Sequence, residues 1–305
     1  MNKSILGAPA KCFFTLVSLC IAGIIVGSFC DFRINELLEN KTDTGKFYAT
    51  WMFCVSYCFY PAAGTCLYKG LKAKGKHFDS LAKSLLMLSI ALAAYLSEMS
   101  MGSDLRQALS YKTGESSFWL YAASLVFWIL FYSWIPFVLN KMLDEKNADR
   151  LIAAGAAIII AGILAQGANE VLKQLGSRPR YKYLITLDDP ISEYRNWWQI
   201  VPGYAKKNDY FKSWPSGHTT AAMMIFFLPA LSDLLKRKSV RRNMFCFAFA
   251  CLYLIVCGYN RIHMTNHFLS DVCFAALITY MLHCFVWTVF EKAAQRNKLV
   301  SEIAE

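Results

Sequence analysis

Apolar runs leave this chain little choice of surroundings. Eight stretches, at roughly 12–30, 47–68, 80–100, 118–140, 150–172, 217–235, 243–260 and 267–290, are each close to the length that crosses a lipid bilayer. About 20 apolar residues span a ~30 Å hydrocarbon core, and only a helix or a closed barrel satisfies its own backbone there. Charged residues make up 17% of the sequence, against about 25% in a soluble domain. The fold class expected is therefore all-α: a polytopic transmembrane helix bundle of about eight helices. The first run is expected as a retained helix, because the small-residue tripeptide Ala8-Pro9-Ala10 precedes it, whereas a signal-peptide cleavage site follows the apolar stretch.

The formal net charge of +11 does not indicate a nucleic-acid partner, since no soluble segment is long enough to present a basic face. The lysines and arginines sit in loops between apolar runs. The densest clusters are Lys69, Lys72, Lys74, Lys76 and Lys83, and Lys236, Arg237, Lys238, Arg241 and Arg242. Cytoplasmic loops carry the Lys/Arg excess, so both clusters, the 140–150 loop and both termini are expected in the cytosol, facing anionic lipids. The setting expected is a plasma or inner membrane. The eleven cysteines lie in or beside apolar runs with no Cys-x-x-Cys pair, so neither a disulfide framework nor a zinc site is expected.

Most connections are short, which favours antiparallel neighbours. The exception is 181–213, a polar and aromatic loop with Trp197-Trp198 and Pro202-Gly203. Loops of this length are usually functional, and two readings stand: a lid at substrate entry, or a passive loop whose tryptophans anchor at headgroup level.

With the basic loops inside, three chemically loaded stretches fall together on the extracytoplasmic face. The last holds Arg261, His267 and Asp271. His267 and Asp271 are four residues apart and share a helix face. A carboxylate on one imidazole nitrogen would leave the other free to attack. Arg261 offers a planar guanidinium to phosphate oxygens. Ionisable residues at membrane depth are functional hypotheses by default. The middle stretch, Pro215-Ser216-Gly217-His218, opens an apolar run. A helix start there presents free N–H groups to an anion, Gly217 permits close approach, and His218 is placed for general acid–base work. Lys173 and Arg180 flank the first stretch; they are either snorkelling side chains or part of a cationic cage for an oxyanion. His77, His263 and His283 have plainer readings as loop, site-lining and packed residues. Ser216 lacks the Gly-x-Ser-x-Gly elbow of serine hydrolases.

The three stretches resemble the signature of the type 2 phosphatidic acid phosphatase superfamily: Lys, six residues, Arg-Pro; Pro-Ser-Gly-His; Ser-Arg, five residues, His, three residues, Asp. The resemblance covers roughly 165–290. It implies a six-helix phosphatase core over 80–305, with the 181–213 loop extracytoplasmic and residues 1–79 supplying two additional N-terminal transmembrane helices. It also implies His267 as nucleophile, Asp271 as its partner and His218 as acid/base. Lys173, Arg180, Ser216, Gly217 and Arg261 would hold the phosphate, with no metal or other cofactor. The activity implied is hydrolysis of a lipid phosphate or diphosphate in the membrane. Two alternatives remain: a phosphotransferase with the same residues, and a non-enzymatic transporter or structural protein. The sequence departs from the signature at Tyr181, where proline is expected, and at Asn260, where serine is expected.

Overall fold

The computed structural model describes residues 4–39, 52–102, 118–205 and 208–304. Ten helices frame and position the three motifs: α1 (Ala10–Leu38), α2 (Phe59–Lys74), α3 (Asp79–Ser97), α4 (Phe118–Met142), α5 (Ala148–Gly176), α6 (Tyr181–Leu184), α7 (Gly217–Ala222), α8 (Leu228–Asp233), α9 (Val240–His263) and α10 (Leu269–Ala304). The only strands among the described residues are two short ones, β1 (Ser4–Ile5) and β2 (Ala8–Pro9), paired antiparallel at the N-terminal end of the chain. The all-α expectation holds.

Six helices among the described residues are long and apolar enough to cross a membrane: Ala10–Leu38, Lys76–Ser100, Phe118–Met142, Glu145–Leu184, Val240–His263 and Leu269–Asn297. The two other expected spans are helical where described, yet differ in kind. The 47–68 segment lies partly outside the described residues. Its described part includes α2, which is only 16 residues long and buries most of them, from Phe59 through Leu67. The 217–235 segment breaks into α7, a 3-10 turn at Met223–Phe227 and α8. Its side chains from Thr219 to Phe227 are all buried. These two segments are apolar because they sit inside the bundle, whereas the outer helices are apolar because they face outward, as Phe14, Phe29, Trp119 and Phe245 do.

Small residues let the central helices approach closely, the usual device where no water drives association. A side chain at Gly155 of α5 would meet the Ala63 carbonyl of α2 at 2.6 Å, and one at Gly70 would meet the Ala148 carbonyl at 2.8 Å. Around this pair, α3 and α4 pack on α2, α10 packs on α5, and α1 packs along α10. Short α7 touches α5, α9 and α10, and so brings the middle motif between the outer two.

The two ends of the bundle differ in charge. Lys74 pairs with Asp149 at the start of α5, while Lys173 lies near that helix's other end. Lys236 N–H donates to Met142 O, so the 236–242 cluster is at the Lys74 end. All three motifs are at the opposite end.

Candidate active site

The His267 ring is held by the main chain. Its Nδ1 lies 2.6 Å from the Ser213 carbonyl, which must accept a proton from that nitrogen and thereby leaves Nε2 as the unprotonated, attacking position. The ring is 2% exposed. This corrects the sequence expectation that Asp271 holds the imidazole. The Asp271 carboxylate is engaged elsewhere: Oδ1 with Arg178 Nη1 at 2.6 Å, and Oδ2 with the Ser213 hydroxyl at 2.6 Å and the Phe268 N–H at 2.8 Å. A carboxylate three residues past Phe268 caps the first turn of α10 through that N–H. Having done so, it reaches His267 only through Ser213.

Three other motif residues bear on the His267 ring. Arg180, Arg261 and His218 all act electrostatically on the His267 ring, and Arg261, Lys173 and Arg180 on His218. Burial, then the positive charge of Arg180 and of Arg261, then the His218 ring push the His267 imidazole well below its ordinary range; the Ser213 carbonyl alone opposes them. A ring so placed is neutral at physiological pH and has a lone pair to give. The Phe53 ring lies against His218, centroids 4.4 Å apart.

The cations of the predicted cage differ in how far they are already paired. Arg261 is 5% exposed and its buried Nε has no hydrogen-bond partner among the described residues. Arg180 donates from Nη1 to Asn266 Oδ1 at 3.3 Å and pairs with the exposed Asp209 at 3.0 Å, with its Nε also unpartnered. Among the described residues Lys173 pairs with Glu170, at 3.7 Å. Its ammonium lies over Gly217, where an added Cβ would come within 2.8 Å of Nζ. Buried donors left open cost free energy unless something accepts from them. Ser216 has a different job from a plain phosphate ligand: its Oγ is the N-cap of α7, accepting from Thr219 N at 3.3 Å and Thr219 Oγ1 at 2.9 Å. Its own hydroxyl proton remains free to donate forward. Asn169 of α5 secures this turn by donating to Thr220 Oγ1 at 2.9 Å.

Three residues behind His267 escape the sequence reading. Arg178 is fully enclosed and uses all five of its N–H donors: Nε to Arg195 O (2.7 Å), Nη1 to Ser270 Oγ (2.8 Å) and Asp271 Oδ1 (2.6 Å), Nη2 to Asp31 Oδ2 (2.9 Å) and Tyr194 Oη (3.1 Å). Asp31 belongs to α1, far outside the motifs. Ser213 has no chemical signature, because its contribution to His267 is a backbone carbonyl. Asp31, by contrast, carries a usable signal as an acidic residue at the edge of an apolar run.

The 181–213 loop is fastened to the rear of the site. Arg195 O and Tyr194 Oη accept from Arg178, Ala205 N–H donates to Ser177 Oγ at 3.0 Å, and Trp197 Nε1 donates to Ser28 Oγ of α1 at 2.9 Å. Burial pushes the Tyr194 hydroxyl up to about 12, so it keeps its proton and donates onward to Asn196 Oδ1 at 3.1 Å. Tyr181, in place of the signature proline, is 3% exposed and packs with Leu184 and Phe268, with Phe32 of α1 against them. That buried ring starts the one-turn helix α6 and sets the path of the loop.

Among the described residues no cluster of three or more His, Cys, Asp or Glu side chains could hold a metal ion. No curated protein and no solved structure matches the chain. The family model of the PAP2 superfamily matches residues 150–295, a segment that contains all three motifs and every site residue predicted from sequence. Over that segment the chain, a multi-pass helix bundle suited to a membrane, resembles the PAP2 superfamily, which generally comprises phosphatases.

Proposed function

We propose that this chain hydrolyses a lipid phosphate or diphosphate monoester at the membrane surface through a phosphohistidine intermediate. The observation that carries the reading is the pinned imidazole: His267 Nδ1 is tied to Ser213 O, and the ring feels the positive charge of Arg180 and Arg261, each of which has a buried Nε with no partner among the described residues. In the first step Nε2 attacks phosphorus as the bond to the leaving oxygen breaks, and His218 gives that oxygen a proton. Arg261, Arg180 and Lys173 carry the charge on the non-bridging oxygens, the largest demand of phosphoryl transfer. In the second step His218 takes a proton from water, whose oxygen attacks phosphorus and releases His267. Three cations around one anion do the charge-neutralising work of a divalent metal, and they would repel one.

A lipid substrate is favoured by the setting. The site lies at helix ends, and Trp198, Ile191 and Ile200 of the adjoining loop are exposed, as interfacial anchors are. The basic clusters lie at the other end of the bundle, and the positive-inside bias favours an extracytoplasmic site with the anionic lipids of the inner leaflet against Lys72 and Arg237.

The test is a panel of lipid phosphates and diphosphates with detergent-purified protein and excess chelator, read by phosphate release. Hydrolysis should persist under chelation and vanish in His267→Ala, along with any acid-labile phosphoenzyme. His218→Ala should lose ~10²–10⁴-fold with alkoxide leaving groups and much less in phosphoenzyme formation from p-nitrophenyl phosphate. Activity that needs added magnesium, or a phosphoenzyme persisting in His267→Ala, would overturn the mechanism.

A further inference from the structure

Behind His267 stands a chain of contacts that begins outside the family-matched segment. Asp31, on α1, is 1% exposed. Its Oδ1 accepts from the Ser270 N–H at 3.0 Å, and its Oδ2 accepts from the Ser270 hydroxyl and from Arg178 Nη2 at 2.9 Å. Arg178 carries the link to Asp271, Asp271 to the Ser213 hydroxyl, and the Ser213 carbonyl to His267 Nδ1. Arg178 has all five donors filled along this path, and both serines donate to carboxylates. Two carboxylates face one guanidinium, so the side of His267 away from the phosphate cage has an excess of negative charge when both are ionised.

Nothing in the packing of α1 alone requires a carboxylate here. The helix already lies along α10, and at Gly27 the two helices are so close that an added Cβ would fall 2.7 Å from Ser270 N. A buried charge is costly to desolvate and is retained where it is matched by a specific partner. One turn further on, Asn35 donates to His267 O at 3.1 Å, so the same face of α1 holds the main chain of the nucleophile as well.

We infer that Asp31 is a positioning residue for the nucleophile: through Arg178, Asp271 and Ser213 it holds the Ser213 carbonyl in place, and with it the tilt of His267, and offsets the charge that ring gains on phosphorylation. This inference rests on the phosphohistidine reading for its kinetic consequence, but not for its geometry. The N-terminal helix is thus part of the catalytic apparatus without touching the substrate.

The experiment uses the full chain in detergent and four variants, one of them Arg178→Gln alone. Asp31→Asn keeps size and shape and removes the charge. Asn35→Ala removes a main-chain tie on the same helix face and leaves the charge path intact. Arg178→Gln with Asp31→Asn removes one charge of each sign together and leaves Asp271. With p-nitrophenyl phosphate, Asp31→Asn should lower kcat tenfold or more while KM stays within about twofold. Asn35→Ala should lose less, and the double variant should recover part of the folding yield lost in Arg178→Gln without recovering kcat. Equal losses in Asp31→Asn and Asn35→Ala, in proportion to lost thermal stability, would make Asp31 a helix-docking residue and overturn the proposal. A second readout separates this from failure of the phosphatase reading: carbethoxylation of His267 by diethyl pyrocarbonate, mapped by peptide mass spectrometry. If the parent proves inactive on every substrate, the functional reading falls. A His267 labelling rate changed severalfold in Asp31→Asn, with the fold intact, would still uphold the positioning role, and an unchanged rate would refute it.

Discussion

Arg178 and Arg180 are separated by one proline, carry the same charge and meet opposite fates. Arg178 is 1% exposed and has all five donors taken, two of its partners being carboxylates. Arg180 has an unpartnered Nε, and its ion-pair partner Asp209 is an exposed residue that an anion could displace. The rear of the site therefore closes on itself, and the front, with Arg261 and Lys173, is left with donors to give. What decides whether a motif arginine builds or binds is the number of its N–H groups already used. Exposure does not decide it, since Arg261 is buried too.

The largest effect should come from exchanging charge between these two regions. Arg178→Gln leaves Asp31 and Asp271 as uncompensated buried carboxylates, a loss of about 3–5 kcal/mol that should appear as low yield and a marked fall in thermal midpoint. Arg261→Gln removes a cation whose Nε has no partner to strand. It should fold with the parent's thermal midpoint, and its kcat/KM should drop ~10²–10³-fold, the cost of one oxyanion donor. A destabilised Arg261→Gln, or an Arg178→Gln that is stable and merely weak in phosphate binding, would break the division between rear and front.

The same contrast sets a pH dependence. The ordinary imidazole titrates near 6.5, and burial with Arg180 and Arg261 lowers His267 below that. As pH falls through about 6.5 the unfolded chain takes up this proton before the folded one does, so the ring's contribution destabilises the fold progressively from there down to its folded value. Above about 6.5 it has no such effect. Measured by the rate of carbethoxylation of His267 against pH, the midpoint should lie below 6.5. It should rise in Arg180→Gln and Arg261→Gln, because each removes a positive neighbour. A parent midpoint at or above 6.5 would show that the front cations do not bear on the nucleophile.

The two regions are also unequally legible in the sequence. The front is made of side chains with strong chemical identities at fixed spacings, and the structure brings Lys173, Arg180, His218, Arg261 and His267 together at one end of the bundle. The rear depends on pairings that spacing does not encode: Asp31 meets Ser270 across 239 residues, and His267 is oriented by a carbonyl that any residue at 213 would possess. Asp271 stands in helical register with His267, yet its carboxylate caps α10 and pairs with Arg178. Helical segments can be read from apolar runs, but their surroundings cannot. The interior segment from Thr219 to Phe227 and the outward-facing α4 are equally apolar in composition, and only the packing shows that one meets protein and the other meets the surroundings.

The smallest effect, and the finest test of the front, is Gly217→Ala. A methyl there would fall 2.8 Å from Lys173 Nζ and 3.3 Å from Asn169 Oδ1. The ammonium is the far end of a flexible side chain and can swing aside, so the clash has a cheap exit. Alanine also suits the first turn of α7 better than glycine does, by up to ~1 kcal/mol. Folding stability should therefore be unchanged or slightly raised. Lys173, displaced from above the turn, would then contribute less to an anion held between it and Arg261. KM should rise a few-fold, and product inhibition by inorganic phosphate should weaken by the same factor, while kcat falls less, since Arg180 and Arg261 remain. Combining Gly217→Ala with Lys173→Ala should add little to Lys173→Ala alone, because both changes remove the same ammonium from the same place. Additive losses in that double variant would mean the methyl blocks the phosphate itself, which would bring the anion closer to the α7 backbone than Lys173 lies.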